Sequence, residues 1–225
     1  RWEHPSRGLL PPARFVPLAE EVRLIVPLGK WVIRRACRQL REWLDEGLPE
    51  MRIALNLAAP HFVDPGLLPL LIAETTAHGI RSELIELELT ESMLMDDTEY
   101  VRDMLRHLHE HGFRLAIDDF GMGYSSLSQL SFLPLDTLKI DRAFTQGMLE
   151  VPRQAAVVGG IIALAKGLGL SVVAEGVETS AQAAALRDEG CDLMQGFHFD
   201  RPLAAADFAR RLAGPTPPAS PAAAG

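Results

Sequence analysis

Phe113-Arg114-Leu115-Ala116-Ile117-Asp118-Asp119-Phe120-Gly121 is a short apolar run that ends in two acids and a turn. The same arrangement repeats on both sides of it. Ile53-Ala54-Leu55 leads to Asn56, and Leu84 to Leu89 carries Glu86 and Glu88. Further on, Lys139 lies in Thr137 to Ile140, Glu175 closes Ser171 to Ala174, and Gln195 stands in the run from Cys191 to Phe199. Runs of four to eight apolar residues between turn signals read as strands, and the stretches between these read as helices. Alternating strands and helices make an α/β fold with a parallel sheet or barrel. In such a barrel the residues at the C-terminal ends of the strands converge on one mouth. One acid at a strand end means little. A series of them, with two amides and one lysine, predicts a metal site for phosphate chemistry.

The rest of the chain fills in around these strands. Arg1 to Pro17 is rich in Pro and Gly and reads as a loop. Ala19 to Gly47 reads as helical, with a turn expected around Pro27. Helices are predicted for Leu67 to His78, Glu99 to His111, Ser125 to Leu130, Gln154 to Gly167, Ala181 to Glu189 and Ala205 to Leu212. Residues 1–213 read as one domain, and the Pro- and Ala-rich stretch 214–225 as a disordered tail. These assignments make six strand-then-helix units. A closed (β/α)8 barrel has eight strands and about 250 residues, so the chain reads as such a barrel without its first two strands.

Composition narrows the function. The chain has 225 residues and a formal net charge of -8. That charge argues against a partner such as DNA or RNA, or a membrane surface. It leaves room for an anionic ligand, because bound cations reverse the local field. No apolar run approaches the ~18 residues of a membrane span. Cys37 and Cys191 form no metal or disulfide pattern and read as buried thiols. The histidines show no HxH or HExxH spacing, and His61, His78, His107, His109 and His111 read as surface residues.

Several positions admit two readings. Adjacent residues of a strand point to opposite faces, so Asp118 and Asp119 can share a site only where the strand ends and turns. Asp before Gly is also common as a helix cap or Asx-turn. Glu86 and Glu88 share one strand face, and Glu88 lies nearer the mouth. Glu86 is either a second site acid or an inward acid near the barrel floor. Glu91 either bonds a neighbouring loop or is the N-terminal acid of the next helix. Lys139 is either an inward lysine paired with acids or phosphate, or a solvated edge residue. Glu175 and Glu178 offer one acid for a metal or a proton and one to hold the loop. Gln195 offers both a donor and an acceptor to a base or phosphate.

Taken in order, RWEHPSRGLLPPARFVPLAEE from Arg1, ALNLA around Asn56, ELTES from Glu88, DDFGMGYSSL from Asp118, LDTLKIDRAF from Asp136, VVAEGVET from Val172 and QGFHFDRPL from Gln195 resemble the EAL domain. That family comprises bacterial phosphodiesterases that hydrolyse cyclic di-GMP, and the resemblance runs to about Leu212. It implies a modified TIM-like (β/α)8 barrel and two divalent metal ions, Mg²⁺ or Mn²⁺. It implies that Asn56, Glu88, Asp118 and Asp119 bind the metals, with Asp118 bridging. Lys139 would contact the attacking water or the phosphate, and Glu175 would bind or orient the metal-water assembly and is the family's candidate general base. Glu91 would brace the loop after Asp119, Glu178 the mouth, and Gln195 would lie near substrate. Arg1 matches the arginine that follows the Glu-Ala-Leu signature and approaches a substrate phosphate.

The resemblance also sets expectations about context. The chain begins just after the signature, so the first metal-ligand glutamate and two strands are not in it, and an apolar inner face is expected to lie open. Met122 stands where the family has threonine. Partners implied are cyclic di-GMP, a second copy docking through the helix after Asp119, and an upstream GGDEF or sensor domain. The domain is expected in the cytoplasm. The alternative to an enzyme is a catalytically silent EAL domain that binds cyclic di-GMP as a receptor.

Overall fold

The structure is a computed structural model that describes residues 1–91, 93, 99–121, 130 and 132–214. Residues 125–129 of the expected helix, with its dimer contact, Met122, and the tail beyond Gly214 lie outside those residues.

Six strands form one parallel sheet in chain order: β3 (Ile53–Asn56), β4 (Ile85–Thr90), β5 (Arg114–Phe120), β6 (Thr137–Ile140), β7 (Ser171–Ala174) and β8 (Leu193–Met194). A separate antiparallel hairpin of β1 (Trp2–His4) and β2 (Gly8–Leu10) precedes them. The helices among the described residues include α1 (Val16–Glu21), α2 (Ile25–Asp45), α3 (Ala59–Phe62), α4 (Leu67–Ala77), α5 (Glu99–Glu110), α6 (Arg142–Gly147), α7 (Pro152–Gly167), α8 (Ser180–Asp188) and α9 (Ala205–Ala213). The six-stranded sheet with its helices is a TIM-like half-barrel, as the repeating units predicted. Among the described residues the outer strands of the sheet, β3 and β8, have no second neighbour.

Side chains alternate across each strand, so the two faces differ. Leu55, Ile85, Leu87, Leu89, Leu115, Ile117, Leu138, Ile140 and Val172 are buried against the helices. They meet α2 through Ile33, Cys37 and Leu40, α4 through Leu67 and Leu71, α5 through Leu105 and Leu108, and α7 through Val158 and Ile162. Each such fully buried side chain contributes about 1.5–3 kcal/mol of transfer free energy. The other face lines a cavity of about 700 Å³. That face is mixed: Ala54, Leu135, Val173, Leu193 and Met194 line it, and charged and polar groups pair between them. Arg52 Nη1 donates to Glu86 Oε2 at 2.8 Å, Thr137 Oγ1 donates to the same oxygen at 2.9 Å, and Arg114 pairs with Asp136. Glu86 therefore belongs to the barrel floor.

Four further expectations need correction. Arg1 to Pro17 is not a loop throughout, because three-residue strands are too short to show a period of two. The break in the first helical region comes at Val22 to Leu24, where Arg23 takes a φ of 57°. Pro27 falls in the first turn of α2, where its missing N–H is not needed. The turn of the DDFG segment comes later than expected, since β5 runs on through Phe120. His61 is not on the surface. It is 2% exposed, its Nδ1 lies 3.0 Å from the Ala58 carbonyl, and its Nε2 lies 3.0 Å from the Ile25 carbonyl across α2. Gly29 leaves the room for that ring, since a Cβ there would lie 1.9 Å from Nε2. Cys37 and Cys191 are free and buried, and burial with Glu74 nearby pushes the Cys37 thiol up to about 11.

Candidate metal centre

Register decides how the strand-end residues meet. Asn56 pairs with Glu88, and Glu88 pairs with Ala116, two residues before Asp118. Ile117 pairs with Leu138 and Phe120 with Ile140, so Asp118 and Asp119 together oppose the single residue Lys139. That is a β-bulge, a device that re-aims side chains near sites. Asp119 sits at φ 54°, in the left-handed region that Asp tolerates better than most residues. Strain and bulge together let two adjacent acids serve one site. Lys139 in turn pairs with Val173, two residues before Glu175.

Lys139 is the hub of the arrangement. It is 4% exposed, and its Nζ lies 2.7 Å from Glu88 Oε1, 2.7 Å from Glu175 Oε1 and 3.1 Å from Asp118 Oδ1. Asn56 Nδ2 donates to Glu88 Oε2 at 2.6 Å. Asp118, Asp119 and Glu175 each offer a carboxylate oxygen, all within 4.8 Å of one another. These contacts bring Asn56, Glu88, Asp118, Asp119, Lys139 and Glu175 to one place at the C-terminal end of the sheet.

The charges do not balance. Burial raises the pKa of Glu88, and Asp118 and Glu175 add to it, outweighing the opposing pull of Lys139. Burial also raises that of Asp119, helped by Asp118 and Asp141. Burial works against a charged Lys139, but Glu88, Asp118 and Glu175 more than offset it and hold the ammonium above its ordinary value. One lysine against four carboxylates leaves the site negative. Hard oxygen donors in that excess fit Mg²⁺ or Mn²⁺, so the donor set suits the metal pair that the sequence implied.

The surrounding residues hold the loops. Glu91, 4% exposed, accepts the Gly121 N–H at 3.0 Å through Oε2. Gly121 has φ 100°, and a Cβ there would lie 2.7 Å from the Phe144 ring. Glu178 is exposed and accepts from Gln146 Nε2 at 3.1 Å, at the rim. Gln195 is exposed, lines the cavity beside Lys139, and its N–H donates to the Ala174 carbonyl at 2.8 Å. Arg1 is exposed ahead of β1. Sequence reasoning missed Asp141, whose carboxylate helps raise the pKa of Asp119 and whose Oδ1 accepts the Ala143 N–H at 2.8 Å as the N-cap of α6. Its signal was an Asp two residues after Lys139 and one before a helix.

A family model described as the EAL domain matches residues 1–202. The chain belongs to the EAL domain family. The bifunctional diguanylate cyclase/cyclic di-GMP phosphodiesterase MucR of Pseudomonas aeruginosa is 45% identical over 205 residues, which cover 91% of this chain and 30% of MucR. The cyclic di-GMP phosphodiesterase NbdA of the same organism is 44% identical over 203 residues, covering 90% of this chain and 26% of NbdA. The EAL domain chain thus spans about a third or less of these relatives. A solved MucR phosphodiesterase structure in complex with c-di-GMP superposes with a TM-score of 0.88 at 44% identity, covering 92% of this chain and 84% of that one. The EAL domain of Mycobacterium smegmatis DcpA superposes with a TM-score of 0.79 at 38% identity, covering 83% of this chain and 84% of that one. Among the described residues no helix is long and apolar enough to cross a membrane.

Proposed function

We propose that residues 1–213 form the catalytic domain of a cyclic di-GMP phosphodiesterase, which opens one phosphodiester bond to give the linear dinucleotide pGpG. The observation that carries this reading is Lys139 held among Glu88, Asp118 and Glu175, with Asn56 and Asp119 beside them. Two divalent ions on Asn56, Glu88, Asp118, Asp119 and Glu175 would supply Lewis-acid polarisation of the phosphate and acidify water. The chain's own residues do the rest. Lys139 stays protonated and meets the charge that grows on the phosphate oxygens. Glu175, half-buried at the end of β7, takes the proton from the attacking water. Attack in line breaks the P–O3′ bond, and the 3′ oxygen leaves and is protonated. Glu91 holds the loop after Asp119. Gln195, Glu178 and Arg1 are assigned to substrate at the rim. A cytoplasmic location and a GGDEF or sensor domain upstream complete the reading.

The test is incubation of the natural-length protein with cyclic di-GMP and Mg²⁺ or Mn²⁺, with the nucleotides separated by chromatography. The expected product is pGpG, and chelation by EDTA stops its formation. Saturable binding of cyclic di-GMP without turnover would favour the receptor, and neither binding nor turnover would overturn both readings.

A further inference from the structure

Glu175 reaches the site from a loop, Glu175 to Thr179, that joins β7 to α8. That loop is fastened to α6, and Gln182 is the fastening at its centre. Gln182 is 6% exposed, and its Oε1 accepts the N–H of Glu178 at 2.8 Å and of Thr179 at 2.9 Å. Its Nε2 donates to the Thr145 carbonyl in α6 at 3.3 Å. Thr179 Oγ1 accepts the Gln182 N–H at 3.2 Å, so the pair also forms the capping box of α8. Capping uses only the Oε1 side of the amide. The bond to Thr145 is additional, and it spans 37 residues to a different helix.

The helix it reaches is the one that borders the metal centre. α6 follows β6 directly, and its N-cap Asp141 stands two residues after Lys139. Gln146 of α6 donates to Glu178, and a Cβ on Gly176 would lie 2.4 Å from Arg142 Cβ, so the loop backbone lies against α6. On its other side Val177 is pinned to the segment after β8, donating to the Gln195 carbonyl at 3.0 Å and accepting from the His198 N–H at 2.9 Å. Glu175 therefore hangs on a loop whose position relative to Lys139 runs through α6.

We propose that Gln182 is a positioning residue, which sets the Glu175 carboxylate against Asp118, Asp119 and Lys139 by tying the Glu175 loop to α6. The proposal rests on the metal-centre reading above. Its role goes beyond capping, and substitution separates the two. Gln182→Glu keeps an acceptor for Glu178 and Thr179, and Glu is itself a capping-box residue, but it cannot donate to Thr145. Gln182→Leu removes both.

The experiment uses the natural-length protein, with Mn²⁺ affinity measured by isothermal titration calorimetry and melting followed in EDTA. Outer partners of metal ligands cost roughly 10–100-fold in affinity or activity when removed, so Gln182→Leu should bind Mn²⁺ about tenfold more weakly. Gln182→Glu should show a smaller but clear loss at an unchanged melting temperature, and kcat should fall while KM holds. Should Gln182→Leu fail to fold, Gln182→Glu and the exposed Gln146→Ala carry the test. Mn²⁺ affinity within about twofold of wild type in folded Gln182→Glu and Gln146→Ala would overturn the proposal, since positioning partners cost more than that. Lower stability with unchanged Mn²⁺ affinity would likewise reduce Gln182 to a helix cap. Wild-type protein that binds Mn²⁺ but does not turn over cyclic di-GMP would refute the phosphodiesterase reading, while the calorimetry still decides Gln182.

Discussion

Lys139→Met would leave three carboxylates without their shared cation. The ammonium lies 2.7 Å from both Glu88 and Glu175 and 3.1 Å from Asp118, and both Lys139 and Glu88 are 4% exposed. Removing one partner of a buried ion pair costs about 3–5 kcal/mol, because the remaining charge stays in poorly solvated surroundings. The cost has a ceiling here, since Glu88 is already raised and takes up a proton once the lysine is gone. About 3 kcal/mol is the figure expected near neutral pH, the lower end of that range. A domain of this size loses ~2–4 °C of Tm per kcal/mol, so the metal-free variant should melt ~6–12 °C below wild type. Divalent ions reverse the order. Methionine fills a similar length without charge, so an ion entering the variant meets the same carboxylates and no competing ammonium. If binding recovers about half of the penalty, ~1.4 kcal/mol, Mn²⁺ affinity rises about tenfold. Turnover falls at the same time, since Lys139 no longer meets the phosphate. Thermal denaturation in EDTA and in Mn²⁺, with calorimetric titration, measures each term. A metal-free Tm within ~2 °C of wild type, or weaker Mn²⁺ binding, would show that the ammonium is not the charge balance of the site.

Asp118→Asn should keep the fold and reduce cyclic di-GMP hydrolysis by more than about tenfold at saturating Mg²⁺, because an amide cannot neutralise two cations; circular dichroism and turnover check the two halves. Gly121→Ala should lower stability by ~1–3 kcal/mol, since φ is 100° and the new Cβ would lie 2.7 Å from the Phe144 ring; a melting curve unchanged from wild type would show that the loop relaxes freely. Glu88 and Asp119 both sit above their ordinary values of 4.5 and 3.8, so the native state holds those protons to higher pH than the unfolded state. Metal-free stability should therefore decline as pH rises from those values towards neutrality, while Mn²⁺ binding strengthens over the same window. Melting in EDTA that rises with pH there, with flat Mn²⁺ affinity, would contradict the assignment.

Much of the fold was legible because strand and helix leave different periods in the sequence. The runs at Thr137–Ile140 and Ser171–Ala174 were bounded by turn residues, and the strands match them. Other features had no local signal. The hairpin strands span three residues each, too few for alternation. His61 lies in a helix of four residues, so no helical face marked it as buried. Gly29, which makes its space, lies 32 positions away in α2, and nothing in either segment refers to the other. The Thr179-x-x-Gln182 capping box was readable as a pattern, but its link to Thr145 depends on how α8 packs beside α6.

The site itself shows where reading by residue type stops. Each strand end announced a polar residue, but not the level at which its neighbour would place it. Register supplies that level. Asn56 stands level with Glu88, and Asp118 stands two residues above the Glu88 partner Ala116. Lys139 lies opposite the bulge formed by Asp118 and Asp119, and Glu175 stands two residues above the Lys139 partner Val173. Steps of two preserve the face, because side chains alternate with a period of two. A step of one at any junction would send the next residue into the helix-packed layer beside Leu87 or Ile117. Among the described strands the bulge is the single place where the count is odd, and it is there that two consecutive acids come to the same site, Asp118 on Lys139 and Asp119 beside Asp118 and Glu175. The stagger that makes a parallel sheet curl towards a barrel is thus the same stagger that lifts successive acids around one cation.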